Sequence, residues 1–271
     1  MRNSLRGAGL LWLAAAIAHV PVWAGTGGLA LVPGRLEIEA RPDVEKTVTF
    51  QIESPPSDEP VNGRLALSLT DWNLSSDGAM EFADPGSGPG SAAPWLTFSP
   101  SAVSIQSGQK YLVRVTVKPP ADIKPGVYRA GIFVQERPPA TAAKQGEHNI
   151  YFRFRYMEVL YVIIPPAAAN PKLVDTALRQ SAKGLEIVCT MTNEGSHFTR
   201  PHISWLLRDP SGAVVRQEKS RDTTVLLPAA TLSEHIPLPA VEPGKYELSV
   251  QADFGGDLPI QAMTRAVEIT P

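Results

Sequence analysis

Apolar and polar residues alternate at every second position in stretches that recur about every ten residues along this chain. That period of two constrains the fold more than any other feature, because it places alternate side chains on opposite faces of an extended strand. Val48, Phe50 and Ile52 point one way while Thr47, Thr49 and Gln51 point the other. Leu65, Leu67 and Leu69 repeat the pattern, as do Tyr111, Val113, Val115 and Val117, and then Ile150, Phe152, Phe154 and Tyr156. Beyond residue 24 no window of useful length carries apolar residues at helical spacing free of Pro or Gly. The 26 prolines and 21 glycines supply turns between short elements, yet together they fall short of the 25–30% share that marks disorder. The chain is therefore expected to be all-β, with many turns and enough apolar residues to bury cores.

Residues 1–24 are expected to be a cleaved secretory signal. Arg2 and Arg6 precede an apolar run of about 14 residues ending at Val20, and Val22-Trp23-Ala24 offers small residues where a signal peptidase reads. That run is too short to span a bilayer as a helix. An internal echo then divides the rest: Pro125-Gly126-Val127-Tyr128 recurs as Pro243-Gly244-Lys245-Tyr246. A Gly turn followed by Tyr entering a strand predicts a tyrosine corner, in which the phenol caps a backbone carbonyl of a sandwich. Between the copies lies Pro165-Pro166-Ala167-Ala168-Ala169-Asn170-Pro171, read as a stiff polyproline-type linker. The expectation is two immunoglobulin-like β-sandwich domains in tandem, residues 25–166 and 167–271. In the second, Leu185, Ile187, Cys189 and Met191 share a face, so Cys189 is expected in the core as an unreactive thiol. Trp205 is expected to be buried, and Val225–Leu227, Ser233–Leu238, Tyr246–Phe254 and Ala262–Ile269 complete a set of seven strands.

Charge and residue usage exclude several function classes. A net charge of −2 is wrong for a protein held on nucleic acid by phosphate contacts. A single Cys rules out a disulfide framework and a Cys-based zinc site. His148, His197, His202 and His235 read as surface turn residues, since the segment around Pro201 cannot hold His197 and His202 at a helical metal-binding spacing. Asp84–Ser91 is read as a surface loop with nothing to bury, and it lacks the Gly-Lys-Ser/Thr ending of a phosphate cradle. Asp71, Asp77 and Glu81 read as solvated loop acids without a catalytic partner. No catalytic residue, metal site, cofactor or stable membrane insertion is expected; the chain reads as a binding or structural protein.

A specific set of residues carries a resemblance. Leu31-Val32-Pro33-Gly34-Arg35-Leu36-Glu37-Ile38 precedes the Val48-Phe50-Ile52 strand. Pro94-Trp95-Leu96-Thr97-Phe98-Ser99-Pro100 is followed by Gly108 and the Leu112–Val117 strand with Arg114. Tyr128-Arg129, the Phe133–Gln135 strand, Pro138-Pro139 and a long apolar strand ending at Pro165 complete the order. Over residues 29–165 the chain resembles the N-terminal domain of periplasmic pilus-assembly chaperones of the PapD type, as a divergent member. The resemblance implies a periplasmic chaperone-like protein that assists surface-fibre subunits by lending them an edge strand. A fibre subunit, and an outer-membrane usher, would then be its partners.

The same resemblance implies a carboxylate anchor, made in that family by an Arg on the first strand and a Lys on the last. Arg35 matches the Arg, and a guanidinium fork suits a partly desolvated carboxylate. The Lys has no match: its place falls near Glu158–Leu160, and Arg153 and Arg155 are the nearby basic residues. Strand pairing with a partner would run through Ile150, Phe152, Phe154, Tyr156, Val159 and Tyr161, if their edge is free. A central core strand would show the same apolar content. The other function class is a non-enzymatic structural or adhesive cell-envelope protein built of two sandwiches.

Overall fold

The computed structural model describes residues 28–56, 62–137, 154–181 and 184–270. The expected signal segment therefore lies outside the described residues, as do Ile150, Phe152, Arg153 and His148. Among the described residues no helix is long and apolar enough to cross a membrane.

The architecture is two tandem β-sandwiches, as the alternation predicts. The first comprises β1 (Ala30–Val32), β2 (Arg35–Glu39), β3 (Lys46–Glu53), β4 (Asn62–Leu74), β5 (Met80–Ala83), β6 (Leu96–Ser99), β7 (Ala102–Gln106), β8 (Lys110–Val117), β9 (Gly126–Arg137) and β10 (Arg155–Ile164). One sheet has the order β1-β3-β8-β6; the facing sheet has the order β2-β10-β9-β4-β5, with β7 also paired to β4. Phe50, Ile52, Val113, Val115, Ile132, Leu160 and Val162 fill the space between them. Their burial follows from the period-two pattern, since each strand turns one face of its pleat to the opposite sheet.

The second sandwich comprises β11 (Pro171–Ser181), β12 (Gly184–Asn193), β13 (His202–Arg208), β14 (Val214–Asp222), β15 (Thr231–Pro237), β16 (Gly244–Asp253) and β17 (Gln261–Ile269). Its sheets have the orders β11-β12-β15 and β14-β13-β16-β17. Cys189, Met191, Trp205, Leu248 and Val250 share its core, and burial pushes the Cys189 thiol up to about 12. Seven strands are present, but their membership differs from expectation. Val225–Leu227 forms no strand; Leu226 instead makes an isolated bridge to Thr199, and Leu226 and Leu227 are both buried. Pro171, read as the end of the linker, instead opens a full strand, Pro171–Ser181, whose register shifts between Leu173 and Asp175. Among the histidines, His202 and His235 stand on strands, facing Asp222 and Glu186 respectively, rather than in turns.

Both tyrosine corners are present. Tyr128 Oη donates to the Lys124 carbonyl at 3.0 Å and Tyr246 Oη to that of Glu242 at 2.8 Å. Each bond spans the turn before its strand and fixes the angle at which β9 or β16 enters its sheet.

The sandwiches meet through backbone as well as side chains. Val127 N donates to Ser196 O at 3.0 Å, and Ser233 N donates to Ser76 O at 2.6 Å. The linker is pinned to the second sandwich: Ala168 O accepts from Ser196 N at 2.8 Å, and Asn170 N donates to Asn193 Oδ1 at 3.0 Å. Gly195 passes so close that a Cβ there would collide with the Ala168 carbonyl and the Asn170 nitrogen. Trp72, Val127, Tyr161, Phe198 and Leu227 form a third apolar cluster where the two sandwiches touch. Because the second sandwich has its own core, residues 172–271 alone are expected to melt cooperatively with β-type circular dichroism. Their midpoint should lie below that of the whole chain, because Phe198 and Leu227 lose cover. A non-cooperative melt would show that the halves fold as one.

Candidate functional site: the first-sandwich edge and the cleft beside it

The site begins with the register of β10. Along its whole length β10 pairs antiparallel with β9, from Arg155↔Gln135 to Ile164↔Gly126. On its other side β2 pairs parallel to it, but only from Val159↔Arg35 to Ile163↔Glu39. Among the described residues, Arg155–Glu158 therefore has no ladder partner on that side. The free edge ends where Arg35 begins, so Arg35 marks the boundary between open and closed edge.

This splits the expected pairing residues. Val159 and Tyr161 are not on a free edge, which corrects that part of the sequence reading. They lie in a central strand paired on both sides, and Tyr161 is only 3% exposed. Two-sided pairing accounts for a segment apolar on both faces: Leu160 and Val162 enter the first core, and Val159, Tyr161 and Ile163 face the second sandwich. Phe154 and Tyr156 lie at the open end. Phe154 is 64% exposed, an unusual cost for a large aromatic ring. Tyr156 packs partly against the first core, and its hydroxyl accepts from Leu29 N at 3.2 Å.

Arg155 is no companion to Arg35. It lies over the Phe133 ring at 4.6 Å and donates to Gln135 Oε1 at 3.2 Å. Four strand positions separate it from Val159, roughly 13 Å along β10. The cation that does approach Arg35 comes from the other sandwich. Glu37 Oε1 lies 3.0 Å from Arg35 Nε and 2.7 Å from Arg200 Nη2. Arg200 stacks over Phe198 at 4.4 Å and over Tyr161 at 5.7 Å. Beneath them Tyr161 meets Trp72 edge-on at 5.4 Å and Phe198 at 4.6 Å. Burial raises the Tyr161 phenol above its usual range, and the nearby arginines oppose that rise. No sequence signal pointed to Arg200, because its partner Glu37 is 163 residues away.

Two further buried groups lie close by. Asp71, read from sequence as solvated, is 5% exposed. Its Oδ2 accepts from Gly88 N at 3.0 Å and its Oδ1 from Ser91 Oγ at 2.6 Å. The Asp84–Ser91 loop is thus tied to β4, and Asp71 organises it instead of facing water. The same residues line a cleft of about 230 Å³ with Phe82 and Arg129. Arg129 lies 5.7 Å over the Trp72 ring and donates to Asn73 Oδ1 at 3.2 Å; burial lowers its pKa. Glu158, the last residue of the open edge, is fully buried, and neither carboxyl oxygen has a hydrogen-bond partner. Desolvation pushes its pKa up to about 8, so it is mostly protonated at neutral pH. Among the described residues no group of three or more His, Cys, Asp or Glu comes together to hold a metal.

No family model and no curated protein matches this sequence. Solved structures do match. The CsuC–CsuE chaperone-tip adhesion subunit pre-assembly complex of Acinetobacter baumannii has a chain 16% identical, with a TM-score of 0.48 over 88% of this chain and 97% of that one. The class 5 fimbriae chaperone CfaA is 11% identical, with a TM-score of 0.45 over 88% of this chain and 98% of that one. The E. coli chaperone DraB is 16% identical, with a TM-score of 0.39 over 91% of this chain and 97% of that one.

Proposed function

We propose that this chain is a non-enzymatic periplasmic chaperone for a surface-fibre subunit, holding it by strand pairing at the open Arg155–Glu158 edge of β10. The observation that carries the reading is the partial cover of β10: β2 closes Val159–Ile163 and, among the described residues, leaves Arg155–Glu158 without a ladder partner on that side, next to the exposed Phe154. Unpaired strand edges are normally shortened, charged or covered. An edge left open beside an outward aromatic suits an incoming strand, for which main-chain bonds give affinity and alternate side chains give register. Arg35 stands at the end of that edge, where a guanidinium would anchor a carboxylate of the bound chain. The resemblance over residues 29–165 implies the same role. The expected signal at residues 1–24 supports export, as work in the periplasm requires.

The test is co-export of the tagged chain with candidate fibre subunits, starting with any encoded near its gene. A subunit should copurify one to one and should aggregate or be degraded when expressed alone. Recovery of this chain as a component of purified fibres, with no subunit held by the free protein, would instead establish the structural envelope reading.

A further inference from the structure

Where the two sandwiches meet beside the start of β2, a carboxylate is already in place between two cations. Glu37 Oε1 lies between Arg35 Nε, 3.0 Å away, and Arg200 Nη2, 2.7 Å away. Among the described residues neither guanidinium has any other hydrogen bond or ion pair, so each has N–H groups to spare. Two cations share one anion and leave an excess positive charge over an apolar floor of Tyr161 and Phe198, which are 3% and 5% exposed. A charge-assisted bond gains strength where low-dielectric surroundings limit screening. Arg200 is also held in place. Thr199 beside it exchanges both backbone bonds with Leu226, at 3.0 and 2.9 Å, and its guanidinium is stacked on Phe198.

We infer that Arg200, from the second sandwich, is the second cation of the anchor, and that Glu37 is its resident carboxylate, which an incoming partner carboxylate must displace. This rests on the chaperone reading for the partner's identity, but the chemistry is read from the chain itself. A site that already holds one carboxylate between two guanidiniums has the geometry to hold another. It also explains why β10 needs no basic residue of its own at this level. Because Glu37 is on the first sandwich and Arg200 on the second, displacement would also release a tie between the two halves. The resident acid lowers affinity for weak anions and favours partners that bring a paired strand as well as a carboxylate.

The test uses the full chain labelled with ¹⁵N and reads the Nε–H resonances of Arg35 and Arg200, assigned through single Arg→Lys variants. The probes are N-acetylphenylalanine for a chain terminus, N-acetylaspartic acid α-amide for an acidic side chain, and N-acetylphenylalanine amide as the uncharged control. The acids should move both resonances and the amide neither, and the stronger of the two acids identifies the source of the carboxylate. Glu37→Gln should tighten acid binding about tenfold, and adding Arg200→Gln should abolish that gain. Glu37→Ala must give the same gain, which separates loss of the resident charge from an effect of the new amide. Equal affinity in wild type and both Glu37 variants, equal shifts with the amide, or indifference to Arg200→Gln would overturn the assignment. Failure of the chaperone reading looks different: the probes would still bind as described while no subunit is captured.

Discussion

Replacing Glu158 with Met is expected to stabilise the protein by about 3–5 kcal/mol at pH 8, and to remove most of the slope in its stability between about pH 4.5 and 8. The cause is a carboxyl group with 0% exposure and no hydrogen-bond partner on either oxygen. In the unfolded chain it loses its proton near 4.5, whereas in the native protein desolvation holds the proton up to about 8. Within that window the unfolded state binds fewer protons than the native state, so stability falls as pH rises. Each pH unit removes about 1.4 kcal/mol until the native group also ionises. Methionine has a similar length, needs no polar partner and carries no charge. In a chain of this size the gain corresponds to a rise in thermal midpoint of the order of 10 °C at pH 8, shrinking toward pH 4.5. Parallel melts of wild type and Glu158→Met from pH 4 to 8.5 check this. Parallel curves with a constant offset would show that Glu158 is not held neutral by burial.

The second large effect concerns binding. Phe154→Asp is expected to weaken subunit capture about a hundredfold while leaving the thermal midpoint within a degree or two. A ring 64% exposed contributes little to folding, but an aromatic anchor buried in a partner's groove can carry a few kcal/mol of binding. Tyr161→Ser should behave in the opposite way. Tyr161 is 3% exposed and packs between Trp72 and Phe198, so its loss should cost folding a few kcal/mol. Titrating a purified subunit into each variant and melting the same samples separates the two outcomes. If Phe154→Asp binds as well as wild type, the open end of β10 is not the docking edge.

Much of the fold was legible because its determinants are local. Alternation in Val48–Ile52 or Tyr111–Val117 needs no distant partner, and each Tyr of the repeated Pro-Gly-x-Tyr finds its carbonyl acceptor four residues earlier. Cys189 was placed in the core by the same parity, and Trp205 by the place a sandwich of this kind gives a buried Trp. β11 escaped because its register shift between Leu173 and Asp175 breaks the alternation, leaving Leu173 and Thr176 both buried. Val225–Leu227 misled for the converse reason: Leu226 belongs to the second core and Leu227 to the cluster between sandwiches. The site was less legible than the fold. Asp71 looks like a loop acid until Gly88 and Ser91, 17 and 20 residues away, fold back onto it. Where the edge of β10 opens depends on where β2 begins, and β2 lies more than a hundred residues upstream. Arg35 stood out only through a resemblance, and Arg200 had no signal at all.

Hydrogen–deuterium exchange of the complex with a cognate subunit tests the central claim most directly, because it reads backbone pairing residue by residue. In the free chain Val159–Ile163 should exchange slowly, being paired on both sides, while amides of Phe154–Glu158 that face away from β9 should exchange fast. Binding should protect Phe154–Glu158 strongly and leave Val159–Ile163 almost unchanged. A tight complex in which Phe154–Glu158 exchanges as fast as in the free chain would contradict strand lending at this edge.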